Sequence, residues 1–434
     1  EDCLFLNVFM PSAASIATAR PAPVLVEIHG GGFQGGRASQ LWNLTRATGA
    51  VTVSIQYRLN VFGFFSTGVV PPILGLRDQR LALQWVRDNA PAFGGDRNHV
   101  MIYGSSAGGA SVAGHLVLPE SAGLFHAAAI ESPGGHQGWM PGTQRTDDDW
   151  MSTKMVVMFS TQLATSLGCG TPSNLTCLRA IDMQTLSAAA GKLRFAPALA
   201  REGSYPLGLI RRGEYTRVPT IVGGQSCESC IHAKAALGPY EPTGRPISKA
   251  SFDAALLKAG FNGTMLSASG QNESGVSPEL LEVWYAKRIA TEGRWRTFAR
   301  ILSDSGHACS AALHAQALGA TSSSVWRYFF EFKKPGSGVP GACHGAQRTW
   351  VNAAVRTTTP SQLDLEQSMA NWWSSLGARG NPNGPFESVE WTAYVPGVSD
   401  DAMFLDAQPG LPAMNASVDT KREECEHWKG YLGW

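Results

Sequence analysis

The chain has 434 residues, room for about three average domains or for one large α/β unit. Its 35 Lys and Arg against 34 Asp and Glu leave a formal charge of +1, so no field exists to gather nucleic acid or an acidic membrane surface. With 44% apolar and 16% charged residues, and with 48 Gly and 25 Pro spread without a period, disorder and collagen-like fibres are excluded.

The chain opens at Glu1-Asp2-Cys3 without Met or an apolar signal core, which predicts a mature or truncated start. Short apolar runs then predict strands at Leu4 to Phe9, Val24 to Ile28, Val51 to Tyr57, Val100 to Tyr103 and Ala127 to Ile130. Several are near-continuously apolar, as strands buried on both faces are. Between them, Leu76 to Asn89 reads as a helix with Leu81, Leu83, Trp85 and Val86 on one face, ended by Pro91 and Gly94-Gly95. A second helix begins at Ser106, and together these elements predict βαβ crossovers and a mostly parallel sheet. The most apolar segment, Val51 to Phe65, is broken by Gln56, Arg58 and Asn60, so no bilayer span is expected.

Further on, helices are expected near Asp148 to Leu167, Met183 to Leu193, Ser251 to Ala259, Pro278 to Ile289 and Trp295 to Leu318, interrupted by a strand at Val218 to Val222. A strand at Val325 to Phe332 precedes the Gly/Pro-rich loop Lys334 to Gly345, and helices near Gln362 to Leu376 and Glu423 to Leu432 close the chain. No repeat, linker or charge block marks a domain cut, so residues 1–434 read as one α/β domain, helices on both faces of its sheet, with a large helical insertion.

Gly104-Ser105-Ser106-Ala107-Gly108 places Gly-x-Ser-x-Gly between a predicted strand and a predicted helix. Glycines at both ends of that motif permit a sharp turn that exposes the Ser106 hydroxyl at the sheet's carboxyl edge. His29-Gly30-Gly31-Gly32-Phe33 follows another strand, where glycine N–H groups can reach a developing oxyanion, each donor being worth about 3 to 4 kcal/mol of barrier. Gly31, Gly32 and Ala107 are the donors of choice, and His29 reads as a structural hydrogen-bonder. Gly30, Gly32 and Gly35 also satisfy the dinucleotide fingerprint, but no Asp or Glu stands between Glu27 and Asp78 where that site needs an acid.

A serine hydroxyl needs a neutral imidazole to take its proton and a carboxylate to orient the ring. His344, in the loop after the Val325 strand, and Glu228, in the loop after the Val218 strand, are each ambiguous alone. The order Ser106, Glu228, His344 is the nucleophile, acid, histidine order of α/β-hydrolases. Cys227-x-x-Cys230-x-His232 is only half a zinc site and has no second Cys/His pair nearby. No metal or organic cofactor is expected.

Glu1-Asp2-Cys3-Leu4-Phe5-Leu6-Asn7-Val8, Tyr57-Arg58-Leu59, and the stretch from Asp78-Gln79 through Trp85-Val86 to Phe93-Gly94-Gly95-Asp96 resemble the type-B carboxylesterase/lipase family, the cholinesterase-like branch of the α/β-hydrolases. The resemblance runs nearly end to end. By position it puts the triad on Ser106, Glu228 and His344 and the oxyanion donors on Gly31, Gly32 and Ala107. Ser105 stands where many members carry an acid, which weakens the case for a choline substrate, and Ser229 stands where a Gly is usual. The family's first strands and Cys-bounded lid loop would precede Glu1, so acyl-length preference is not readable.

The resemblance further implies bridges Cys169–Cys177 and Cys309–Cys425 and an unpaired Cys3. The first closes a loop of about eight residues, worth roughly 2.5 kcal/mol by chain entropy. Cys227, Cys230 and Cys343 remain; a bridge from Cys343 to Cys227 or Cys230 is plausible if the acid and histidine loops meet, with free thiols the alternative. Five sequons, at Asn43, Asn174, Asn262, Asn272 and Asn415, together with eight Cys, point to a secreted glycoprotein. The expected chemistry is ester hydrolysis through an acyl-enzyme, with Ser132 supporting Glu228. A triacylglycerol lipase of the same family and a non-catalytic interaction domain are the alternatives.

Overall fold

A computed structural model describes residues 2–12, 21–67, 71–134, 151, 153–191, 193–199, 205–240, 246–266, 272–322, 324–332, 336–355, 359–384, 389–397, 401–407, 414–418 and 422–429. The strands are β1 (Leu6–Phe9), β2 (Ala22–Ile28), β3 (Val51–Ile55), β4 (Gly95–Ser105), β5 (Ala127–Glu131), β6 (Thr220–Gln225), β7 (Thr264–Leu266), β8 (Asn272–Ser274), β9 (Val325–Phe330), β10 (Asp401–Leu405) and β11 (Met414–Val418). Nine of them form one sheet in the order β1-β3-β2-β4-β5-β6-β9-β10-β11, while β7 and β8 pair separately. β1 lies antiparallel to β3 and β11 antiparallel to β10; every other neighbour is parallel.

The pleat of β2 shows why the sheet is covered on both sides. Val24, Val26 and Ile28 point into one core with Leu83, Val86, Ala110, Ala113 and Leu313. Leu25 points into the other, with Met101, Tyr103, Trp372, Trp373 and Leu376. Helices Leu74–Asn89, Ala107–Val117 and Cys309–Gly319 supply the first layer, and Trp42–Thr48 and Pro360–Arg379 the second. Among the described residues no helix is long and apolar enough to cross a membrane.

Several expectations need correction. The buried stripe of helix Leu74–Asn89 is Leu76, Gln79, Leu83 and Val86, and Leu81 is 60% exposed: its spacing of two from Leu83 puts it on the opposite face. The single helix expected from Trp295 to Leu318 is helix Ala286–Ser303, a π-turn at Asp304–Ala308 and helix Cys309–Gly319. The preceding helix stops at Trp284 rather than Ile289. β4 starts five residues before Val100, and β10 and β11, of five residues each, were not expected. The start of the helix expected from Asp148 and the end of the one expected at Leu432 lie outside the described residues.

Candidate active site

The strand β4 ends in a forced turn. Ser106 has φ 63° and ψ −130°, a left-handed backbone that a side chain rarely adopts. It is held there because its N–H donates to the Glu131 carbonyl (2.9 Å) while its own carbonyl accepts from Ala110 N–H (2.9 Å), the first bond of helix Ala107–Val117. Packing leaves no alternative to glycine beside it: a Cβ at Gly108 would lie 2.1 Å from the Ile28 carbonyl oxygen. One at Gly30 would lie 2.3 Å from the Ser105 carbonyl oxygen and 3.0 Å from Ser106 Cβ. The glycine loop after β2 therefore presses directly on the Ser106 turn.

In that loop Gly31 and Gly32 have φ of 121° and 60°. The turn is closed by Gln34 and Gly35 N–H groups donating to the Gly31 carbonyl (3.0 and 3.1 Å), and Gln34 Nε2 anchors it to the Phe195 carbonyl (2.7 Å). Among the described residues the N–H groups of Gly31, Gly32 and Ala107 have no acceptor, which leaves donors for an external oxygen. His29 is buried, stacked on Tyr57 at 4.4 Å, with Nδ1 2.9 Å from the Gly30 carbonyl oxygen. Burial holds its pKa down, and it sits behind the loop as a structural side chain.

Beyond β5, in the loops that follow β6 and β9, Glu228 and His344 meet. His344 Nδ1 lies 2.7 Å from Glu228 Oε2, and the His344 N–H donates to the Glu228 carbonyl (3.1 Å), so side chain and backbone fix the same register. Glu228 is 1% exposed, and its other oxygen accepts from Ser132 Oγ (2.6 Å) and Gln225 N–H (2.7 Å). Burial pushes this carboxyl up. The bond and charge of His344, then the charge of His307, then the Ser132 bond outweigh burial, and Glu228 ends below the ordinary value. It is an ionised partner suited to holding an imidazolium.

A second layer of polar groups, which sequence reasoning missed, ties these segments together. Gln347 Nε2 donates to Ser105 Oγ (3.1 Å) and to Glu131 Oε2 (2.9 Å), and Gln347 Oε1 accepts from Gln225 Nε2. Gln225 Nε2 also donates to Ser132 Oγ (2.9 Å). The strand bearing Ser106, the loop bearing Glu228 and the loop bearing His344 thus share one buried hydrogen-bond chain. Glu131, which also accepts from Trp373 Nε1 (2.7 Å), is pushed by burial up to about 7. Glu27 is buried nearby and accepts from Arg348 Nε (2.9 Å) and Asn352 Nδ2 (3.1 Å). In the sequence these are polar residues at strand ends, such as Glu131, or a Gln three places after His344, and nothing there marks them as buried.

The cysteines correct one expectation. Cys227 is bridged to Cys230, with Cα atoms 5.3 Å apart, and Cys343 is a half-buried free thiol. The turn that begins helix Cys230–Leu237 folds Cys227 back on Cys230, which satisfies both sulfurs inside the acid loop and also removes them as metal ligands. The loops do meet, but through Cys227 N–H donating to the Ala342 carbonyl (3.0 Å). Cys169–Cys177 and Cys309–Cys425 are bridged and Cys3 is exposed and unpaired. Of the sequons, Asn262 and Asn174 are exposed and Asn43 is half-buried, while Asn272 and Asn415 lie on β8 and β11.

A mostly parallel sheet with helices on both faces and a strained serine turn at its carboxyl edge defines an α/β-hydrolase. The pattern of the Carboxylesterase family matches residues 1–428, and the chain belongs to that family, whose members are carboxylic ester hydrolases. It is 27% identical to acetylcholinesterase of Bungarus fasciatus, over 100% of this chain and 72% of that protein. It is 25% identical to acetylcholinesterase 1 of Caenorhabditis elegans over 100% of this chain and 74% of that one. With acylcarnitine hydrolase of Rattus norvegicus it shares 29% identity over 95% of this chain and 72% of that protein.

Proposed function

We propose that this chain cleaves carboxylic esters with Ser106 as nucleophile, His344 as general base and Glu228 as the orienting acid. The observation that carries the reading is the 2.7 Å pair of His344 Nδ1 and Glu228, which leaves Nε2 as the nitrogen to take the serine proton. As Ser106 Oγ attacks the carbonyl, His344 accepts its proton and the ionised Glu228 stabilises the resulting imidazolium. Gly31, Gly32 and Ala107 donate N–H groups to the tetrahedral oxyanion. His344 then protonates the departing alkoxide, and water repeats the sequence to release the acid and free the serine.

Three disulfides and the sequons support an extracellular setting. The relatives named above handle choline and carnitine esters by name, but Ser105 supplies no negative charge beside the nucleophile to draw a cationic alcohol. Uncharged alcohol esters are therefore the favoured substrates.

A panel of p-nitrophenyl esters from acetate to long acyl chains, assayed with the protein and its Ser106→Ala variant, tests this reading. The variant is expected to lose on the order of 10⁴-fold or more in kcat. Hydrolysis that survives the substitution overturns the assignment, and the acyl-length profile separates esterase from lipase.

A further inference from the structure

The imidazole of His344 does not stand alone. His307, on the π-turn Asp304–Ala308, stacks on it with ring centroids 4.2 Å apart and planes 22° from parallel. His307 Nδ1 lies 3.2 Å from the Pro133 carbonyl oxygen, and a carbonyl only accepts, so Nδ1 carries the hydrogen and any second proton adds at Nε2. The turn is pinned at both ends. Tyr285 Oη donates to Asp304 Oδ2 (2.9 Å) and itself accepts from Trp428 Nε1 (2.8 Å), while Cys309, directly after the turn, is bridged to Cys425. A π-turn widens the helix locally and re-aims one side chain, which here is laid over the ring of the proposed general base.

We propose that His307 is a positioning residue that competes with His344 for positive charge and so keeps the general base neutral, and the enzyme active, at lower pH than a lone histidine would. This rests on the assignment of His344 as base. Two imidazoles this close do not both charge without repulsion, so any population with His307 protonated disfavours the inactive His344 imidazolium. Among the described residues, the other titratable groups on the elements around the pair have partners of their own. Glu228 is bonded to His344 and Ser132, and Asp304 to Tyr285. Glu292 and Arg300, on the helix before the turn, pair with each other, and Glu424, on the C-terminal helix, pairs with Arg288. His314, on the helix after it, has Nδ1 against the Ser310 carbonyl (2.8 Å). His232, on the helix following the acid loop, is held down by burial and then by the charge of His344.

The test is the pH dependence of kcat/KM, followed by pH-stat on one hydrolysed ester and normalised to each protein's own plateau. His307→Phe keeps an aromatic stack without a proton, and its acid limb is expected to move up by about half to one pH unit, a three- to tenfold loss at the foot of the limb. His307→Lys carries a fixed charge and is expected to move the limb down. Superimposable limbs, or both variants moving the same way, overturn the proposal. If the wild-type chain hydrolyses no ester, or Ser106→Ala remains active, the functional reading fails separately. NMR titration of the His344 imidazole in wild type and His307→Phe then decides: a higher pKa in the variant supports the charge competition and an unchanged one ends it.

Discussion

The layer beneath helix Pro360–Arg379 and the carboxyl edge of the sheet are built from the same strands on opposite terms. In the first, Trp372, Trp373 and Leu376 are fully buried against Tyr103, Tyr328 and Trp391, with Trp372 and Trp391 ring centroids 5.2 Å apart in an edge-to-face contact. In the second, Glu27, Glu131 and Glu228 are equally buried, yet each is held by two or more side-chain or backbone donors. Burial of apolar surface is non-directional and tolerates adjustment, whereas a buried carboxylate is tolerable only in one donor geometry. Substitutions in the aromatic layer should therefore act on stability, and substitutions at the edge on chemistry.

The largest separation is expected from Glu228→Gln. Removing the charge beneath His344 while keeping the shape should lower kcat by about 10³- to 10⁴-fold, with KM little changed. Stopped or steady-state ester kinetics on a variant whose circular dichroism matches wild type would check it. A loss of less than about tenfold would mean that the edge is as forgiving as the aromatic layer.

The opposite region is probed by Trp372→Ala, which should destabilise the fold by about 3 to 5 kcal/mol in urea unfolding. The kcat per folded molecule should stay near wild type, because Trp372 packs within the aromatic layer, its ring edge-to-face with Trp391. A kcat loss larger than the folded-fraction loss would erase the contrast.

Trp373 joins the two regions through its bond to Glu131, and pH reads that junction. The folded pKa of Glu131, pushed up by burial to about 7, exceeds the unfolded value near 4.5, so the folded chain binds the extra proton between these values. Stability from this group is present at low pH and is lost as pH rises through that window. Glu131→Gln should remove the slope, making the variant gain up to about 3 kcal/mol on wild type between pH 5 and 8. Parallel urea midpoints for both proteins across that range would refute it.

What the sequence revealed follows the same division. The parallel strands were legible because continuous apolar runs such as Ala127 to Ile130 read as strands buried on both faces, and the Ser106 turn because only Gly fits at Gly108. That Glu228 and His344 would lie close together was readable from their order after particular strands, and they meet at 2.7 Å. Gln347, Gln225 and Glu131 were not, since a polar residue beside a strand end carries no mark of burial until β4, β5 and β6 are laid side by side. The stacking of His307 on His344 depends on a single π-turn, and helical periodicity passes over such a turn without a trace. The start of β4 was placed too late, at Val100, because Asp96 to His99 are polar, with Asp96 half-buried and Arg97 to His99 exposed at an otherwise buried strand's entrance.

The sulfurs give the smallest effect and the finest test of how the edge is assembled. A bridge closing the short Cys227–Cys230 loop constrains little chain, about 2 kcal/mol by entropy, so replacing both with Ser should cost roughly that much stability. Cys343→Ser should cost under about 0.5 kcal/mol, because the thiol is half-buried and unbridged. Alkylation in denaturant without reductant, followed by peptide mapping, should place label on Cys343 and none on Cys227 or Cys230. Label on Cys227 or Cys230 in place of Cys343 would mean that the histidine loop is covalently tied to the acid loop. The Cys227 N–H to Ala342 hydrogen bond would then be the consequence of that tie, and the edge would owe its register to covalent chemistry rather than to the shared chain of side-chain amides.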